Sequence, residues 1–221
     1  MPVGRTLVSG SPYLGVFVRA VDRWAIAPAA LPGATERELA RVLGVEVVRT
    51  NISDSEVVGA LIAANSRGAV VGEWVEPAER RALEAVGPLT VLRHRQNAFG
   101  NNILANDLGA LVHPEYSGEL VEAIGRALGV RAAHGTLAGL ATVGMAGVAT
   151  NRGAVVHPKA TDGEIARVEE VLGVPVQRST ANFGVPVVGA CVVANSKGIL
   201  VGRPTTPVEI VHLQDGLRVV V

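Results

Sequence analysis

Apolar positions fall in short runs broken by glycine, asparagine or charge, and one such broken run recurs along the chain. The phrase "VGALIAANSRGAVVG" at 58–72 returns as "FGNNILANDLGALVH" at 99–113, "VGMAGVATNRGAVVH" at 143–157 and "VGACVVANSKGILVG" at 188–202. Its opening glycine falls at Gly15, Gly59, Gly100, Gly144 and Gly189, at intervals of 44, 41, 44 and 45 residues. A period of that length marks five copies of one supersecondary unit. Inside the unit two apolar strands flank Asn-x-x-Gly, a hairpin signal in which the Asn side chain caps the turn and the glycine is expected to supply a positive φ. In the first copy Trp24 stands where the others have Gly68, Gly109, Gly153 and Gly198, so that turn must be built differently.

A helical pattern follows each hairpin, over 35–44, 76–87, 115–129, 161–173 and 205–217. Thr35 with Glu38 and Thr161 with Glu164 have capping-box spacing, Pro77 and Pro207 suit a first helical position, and Ser117 suits an N-cap. Gly44, Gly87, Gly129, Gly173 and Gly216 read as stops. The runs "VEVVRT", "LTVLRH", "VRAAHG" and "VPVQRS" then supply a further strand, with "RTLVSG" as their counterpart ahead of the first hairpin. Strands this apolar are not wetted on one face, so helices cover one side while the strands gather around an axis. The expected fold is α/β, a closed five-bladed ring. An open α/β solenoid ranks lower, because the terminal repeats lack polar caps. One domain is expected over 1–221, with repeats near 1–44, 45–87, 88–129, 130–173 and 174–221, and the strand "LRVVV" at 217–221 is expected to help close the ring.

Composition narrows the class. The 221 residues are 48% hydrophobic but only 3% aromatic, so the core is built from Val, Ala, Leu and Ile. No apolar run approaches membrane-spanning length, the first ten residues lack the apolar stretch of a signal peptide, and a single cysteine excludes an internal disulfide; a cytoplasmic protein is expected. Net charge is zero but segregated: the predicted helices carry six arginines against fourteen acids, while 85–106, 123–161 and 171–208 contain no acid. Two readings of this remain open. Acids favour helix first turns in any protein; alternatively, the loop ends present positive potential to an anionic partner such as ribosomal RNA.

Cys191 reads as mid-strand, at the place held by Phe17, Leu61, Asn102 and Ala146, and so as a small hydrophobe rather than a nucleophile. His113 and His157 occupy matching positions, while His94, His134 and His212 are scattered without zinc-ligand spacing; neither a Walker loop nor GxSxG occurs, and no metal, cofactor or small-molecule substrate is expected. One repeat is anomalous. Asn101 and Asn102 are adjacent amides in what reads as an apolar strand, and "RHRQNAFG" before them is acid-free, with Arg93 and Arg95 alternating toward one face. Arg93, Arg95, Asn97, Asn101 and Asn102 are therefore the candidate binding residues, with Arg49 and Asn51 as weaker counterparts in the second copy.

With "TNISDSEVVGALIAANSRG", "NAFGNNILANDLGALVHPE", "GTLAGLATVG", "NRGAVVHPK" and "TANFGVPVVGACVVANSKGILVG" in order, essentially the whole chain resembles the archaeal translation initiation factor 6 family, shared with the eukaryotic ribosome anti-association factor. The resemblance implies a pentein fold, a five-bladed α/β propeller. It also implies a non-enzymatic, monomeric role: binding the large ribosomal subunit near the protein uL14 and the sarcin-ricin loop and sterically blocking the small subunit, with a part in subunit maturation. Penteins also include guanidine-modifying enzymes that use a cysteine, which makes catalysis at Cys191 the rival expectation.

Overall fold

The structure, a computed structural model, describes residues 3–85 and 87–219. In chain order the strands are β1 (Val3–Thr6), β2 (Arg19–Ala20), β3 (Trp24–Ala27), β4 (Glu46–Arg49), β5 (Ala63–Ala64), β6 (Ala69–Gly72), β7 (Leu89–Leu92), β8 (Ile103–Ala105), β9 (Gly109–Val112), β10 (Arg131–His134), β11 (Gly147–Ala149), β12 (Ala154–Val156), β13 (Val176–Arg178), β14 (Val192–Ala194) and β15 (Ile199–Gly202). Five outer helices alternate with them: α2 (Gly33–Leu43), α4 (Pro77–Glu84), α6 (Gly118–Leu128), α8 (Asp162–Leu172) and α10 (Pro207–Leu217). Five single-turn helices precede the hairpins: α1 (Leu14–Phe17), α3 (Val58–Leu61), α5 (Phe99–Asn102), α7 (Val143–Ala146) and α9 (Val188–Cys191).

The expected strand, hairpin and helix are present in every copy, but the opening glycine lies in a single-turn helix rather than a strand. Each sheet has three strands: a hairpin, then the strand that follows the outer helix, paired parallel to the hairpin's second strand. Every sheet therefore takes its outer strand from the next repeat, and the last sheet takes β1, register Val3↔Ile199 to Thr6↔Gly202. Closure thus comes from the N-terminal strand, and residues 217–219, the described part of 217–221, form no strand. Leu217 ends α10, Arg218 caps it in the left-handed region at φ 51, and 220–221 lie outside the described residues. The ring is closed, against the solenoid alternative: α1 packs on α3 and α9, and the inner strands β2, β5, β8, β11 and β14 touch in the same cyclic order.

Five apolar clusters lie one at each seam between adjacent sheets. Leu39, Val42 and Leu43 of α2 roof one with Leu200, and Val168, Val171 and Leu172 of α8 roof another with Leu111 and Val156. The hairpin asparagines stitch the seams from the far end. Asn106 Oδ1 accepts the backbone N–H groups of Leu108 and Gly109 at 2.9 and 3.0 Å, while its Nδ2 donates to Thr150 O at 3.1 Å and Leu172 O at 2.9 Å in the next copy. Asn65 and Asn195 do the same. The turn glycine is needed for close approach, not for positive φ as expected: a Cβ on Gly109 would strike the carbonyl of Val171, and one on Gly153 that of Gly216. In the first copy Val21 and Trp24 replace the pair, and the Trp24 ring instead fills the seam with Ile26, Ile62 and Leu83.

Helix ends also depart from the sequence reading. Gly44, Gly129 and Gly173 are left-handed caps, and Ser117, Pro77, Pro207 and the Thr161–Glu164 box serve as expected. Thr35, however, lies inside α2 after the N-cap Pro32. Gly216 lies inside α10, and α4 ends at the αR cap Ala85, short of Gly87.

The opening glycines meet at the axis. A Cβ on Gly100 would collide with Gly59 O and lie 2.6 Å from Ile62 O, with the corresponding clash at each of the other four. Gly100→Ala is expected to cost more than about 3 kcal/mol, since a packed backbone cannot shift to admit it. Gly118→Ala, where a Cβ meets open space, should be neutral or stabilising by about 0.5 kcal/mol; denaturant unfolding of the pair distinguishes packing from mere loss of glycine.

Candidate functional site

The single-turn helices and the loops before them share one end of the ring, opposite the hairpin turns. In three copies the preceding loop is clamped by the glutamate at the third position of the outer helix. Glu79 receives the N–H groups of Ser53 and Asp54, Glu164 those of Ala138 and Gly139, and Glu209 those of Phe183 and Gly184. Burial alone would raise the Glu164 and Glu209 carboxyls, but the converging donors win and hold both down to about 2.

The third copy is built otherwise. Leu120 replaces the clamping glutamate and Tyr116 takes over, donating its hydroxyl to Gln96 O at 2.8 Å. Asn102 Nδ2 bridges Gln96 O at 3.1 Å and Tyr116 Oη at 2.9 Å. His113 stacks on the Tyr116 ring at 5.3 Å and His94 meets it edge-on at 5.0 Å. Burial pushes the Tyr116 hydroxyl up to about 12, so it remains a donor at neutral pH. This aromatic clamp holds the loop 93–98 without a carboxylate.

The structure separates the candidate residues into two sets. Asn102 is buried and belongs to the clamp, and Asn51 Oδ1 accepts Ala29 N at 3.1 Å, tying loop to loop. Arg49 is engaged with Leu31 O at 3.2 Å and Glu36 at 3.6 Å. Arg93 pairs with Glu73 at 3.1 Å but remains 87% exposed, and such a surface pair, worth under about 1 kcal/mol, exchanges readily for a partner. Arg95 is exposed, Asn97 and Asn101 are half-buried, and the Asn101 side chain makes no hydrogen bond among the described residues. Arg93 and Arg95 sit in a loop beyond the end of β7, so strand alternation does not govern them; likewise Asn101 and Asn102 lie on α5, not a strand.

Sequence reasoning missed Trp74. It is 67% exposed in the loop after β6, next to Glu73, which holds Arg93, and two residues past Gly72, whose α-carbon abuts Asn97. Phe183, 81% exposed and left-handed at φ 64, is a second aromatic at this end. In a chain with 3% aromatics, a tryptophan flanked by acids in "GEWVEP" was the available signal.

Cys191 ends α9 rather than standing mid-strand, fully buried among Val188, Val192 and Ala181. Burial pushes its thiol up to about 12 despite a hydrogen bond from Asn182, leaving almost no thiolate at neutral pH. Among the described residues no three His, Cys, Asp or Glu side chains converge as metal ligands, and no helix is long and apolar enough to cross a membrane.

Fold and site together define a class: a five-fold pseudosymmetric α/β ring of pentein type, with a cation- and aromatic-bearing end. The sequence profile of the eIF-6 family matches residues 3–216. The chain is 43% identical to translation initiation factor 6 of Haloquadratum walsbyi, covering 96% of this chain and 95% of that protein. It is 40% identical to translation initiation factor 6 of Methanosphaerula palustris over 96% of each, and 39% identical to that of Pyrococcus abyssi over 100% of each. The chain belongs to the eIF-6 family, a family of translation factors.

Two outcomes follow from the site chemistry. Native Cys191 should resist thiol reagents and react only on unfolding, and Cys191→Ala should cost about 1 kcal/mol; rapid labelling of folded protein would contradict its burial. Because Glu164 and Glu209 have lowered folded-state pKa values, their stabilisation is complete above about 4.5 and is lost as pH falls toward 2. Melting temperature should drop steeply in that window, and Glu209→Gln should be less stable at neutral pH with a shallower acid loss.

Proposed function

We propose that this protein binds the large ribosomal subunit through the single-turn-helix end of its ring and, by occupying that surface, keeps the small subunit from joining. It acts as one unit over residues 1–221, as a monomer in the cytoplasm and without catalysis, and the docking ground is the region of uL14 and the sarcin-ricin loop. The observation that carries this reading is the patch formed by Arg93, Arg95, Asn97, Asn101 and Trp74, where exposed cations stand on a loop already fixed by Tyr116 and Asn102, and the exposed Trp74 stands on the neighbouring loop after β6. Arg49 and Asn51, at the matching place in the neighbouring sheet, extend it at their remaining exposed edges. A preorganised surface loses little conformational entropy on docking. Tryptophan and arginine are the residues that most often carry such interfaces.

Sedimentation with separated subunits, scoring subunit joining in the same gradients, tests the reading. The protein should migrate with the large subunit alone and reduce the joined peak, less so as salt rises. Asn101→Ala and Trp74→Ala should weaken co-sedimentation roughly tenfold or more with melting temperatures near wild type. Asn102→Ala should lower the melting temperature by several degrees, because it unties the clamp. Migration free of both subunits at low salt would refute the proposal.

A further inference from the structure

Arg19 breaks the pattern of the inner wall. The matching positions hold Ala63, Leu104, Val148 and Val193, and the residue after each is alanine in all five copies, Ala20, Ala64, Ala105, Ala149 and Ala194. These inner strands enclose an axial cavity of about 30 Å³, lined by the alanines, aliphatic side chains and Arg19. Arg19 as a whole is partly buried, and its side chain lines that cavity. Its Nη2 donates to Gly59 O at 2.7 Å and Gly100 O at 3.1 Å, across the glycine contacts of two neighbouring copies. Nε is buried and has no acceptor among the described residues.

Burial lowers the pKa only to about 10, so the group stays cationic at neutral pH. The acids nearest the axis are Asp22 and Asp107, at the mouth formed by the hairpin turns. Both are taken. Asp22 accepts from Ser196 N, Ser196 Oγ and Asn151 Nδ2 at 2.7, 2.8 and 2.9 Å, and Asp107 from Ser66 N and Asn151 Nδ2 at 2.7 and 2.8 Å. A cation therefore faces a small axial space with no anionic group of the protein bonded to it, an arrangement that burial makes costly.

We propose that the axial cavity is a binding site for one halide-sized monovalent anion, chloride, held by the free edge of the Arg19 guanidinium. The volume suits one such ion or about two waters. Water would satisfy the N–H groups but leave the charge uncompensated; a halide does both. The bound ion makes ring stability depend on chloride, separately from any docking at the outer loops.

Two measurements on the full chain decide it. Crystals grown in bromide should show an anomalous peak on the axis within hydrogen-bonding distance of Arg19; ordered water alone there would overturn the proposal. In solution, melting temperature should rise by about 3 °C or more when chloride replaces gluconate at constant ionic strength. Arg19→Ala, which copies Ala63, and Arg19→Gln, which keeps a donor for the carbonyls without the charge, should both abolish that rise. An equal chloride response in either folded variant would place the effect elsewhere and sink the site.

Discussion

Five α-carbons meet at the axis, and every other feature of the ring is conditional on their bareness. Gly15 abuts Gly189 O, Gly59 abuts Gly15 O, and the cycle continues through Gly100 and Gly144 back to Gly189. Each single-turn helix thus rests its carbonyl on the next one's glycine, a spacing no side chain permits. Contact at this range fixes the radius of the inner strands, which in turn fixes how far apart the outer helices stand and how much aliphatic volume each seam must hold. A core of Val, Ala, Leu and Ile suits seams of that width, and the few large rings are placed at exceptions: Trp24 in the first seam, Phe99 and Tyr116 in the third copy.

The two ends of the ring solve different problems. At the hairpin end, asparagine or threonine closes the turn with its side-chain oxygen and ties the next copy's hairpin or helix carbonyls, so buried carbonyls at the outer-helix ends find donors within the protein. That lattice repeats with little variation. At the opposite end the loops are held by single clamps, a glutamate in three copies and a tyrosine in the third, and here side chains diverge. Rigid support with variable tips is the arrangement expected of a binding surface.

Much of this was legible because it is periodic. The 41-to-45-residue spacing, the Asn-x-x-Gly hairpins, the proline and serine helix starts and three of the five glycine stops all follow from local chemistry that repeats. What was not legible depends on neighbours in space. Gly100 in an apolar run reads as a strand residue until the carbonyl of Gly59 is brought against it. Gly109 reads as a turn glycine, though what excludes a side chain there is Val171 on α8 of the next copy. Asn102 reads like Asn101, and only the arrival of Tyr116, fourteen residues on, makes one a buried bridge while the side chain of the other has no hydrogen bond among the described residues. Closure by β1 is likewise a tertiary outcome, since that segment and 217–221 are alike short, β-branched and near an end of the sequence.

The third copy shows why the anomaly and the candidate surface coincide. A glutamate clamp brings a carboxylate beneath the loop it holds, as Glu209 does under Phe183 and Gly184. Replacing it with Tyr116 fixes the backbone of Gln96 just as firmly but leaves no fixed negative charge beneath Arg93 and Arg95. The remaining acids nearby, Glu73 and Glu115, sit on flexible side chains at the rim, where solvent screens them and a partner can displace them. The substitution of clamp therefore changes the electrostatics of one loop without loosening it. A loop that must meet phosphate or acidic protein surface without first rearranging needs both properties together.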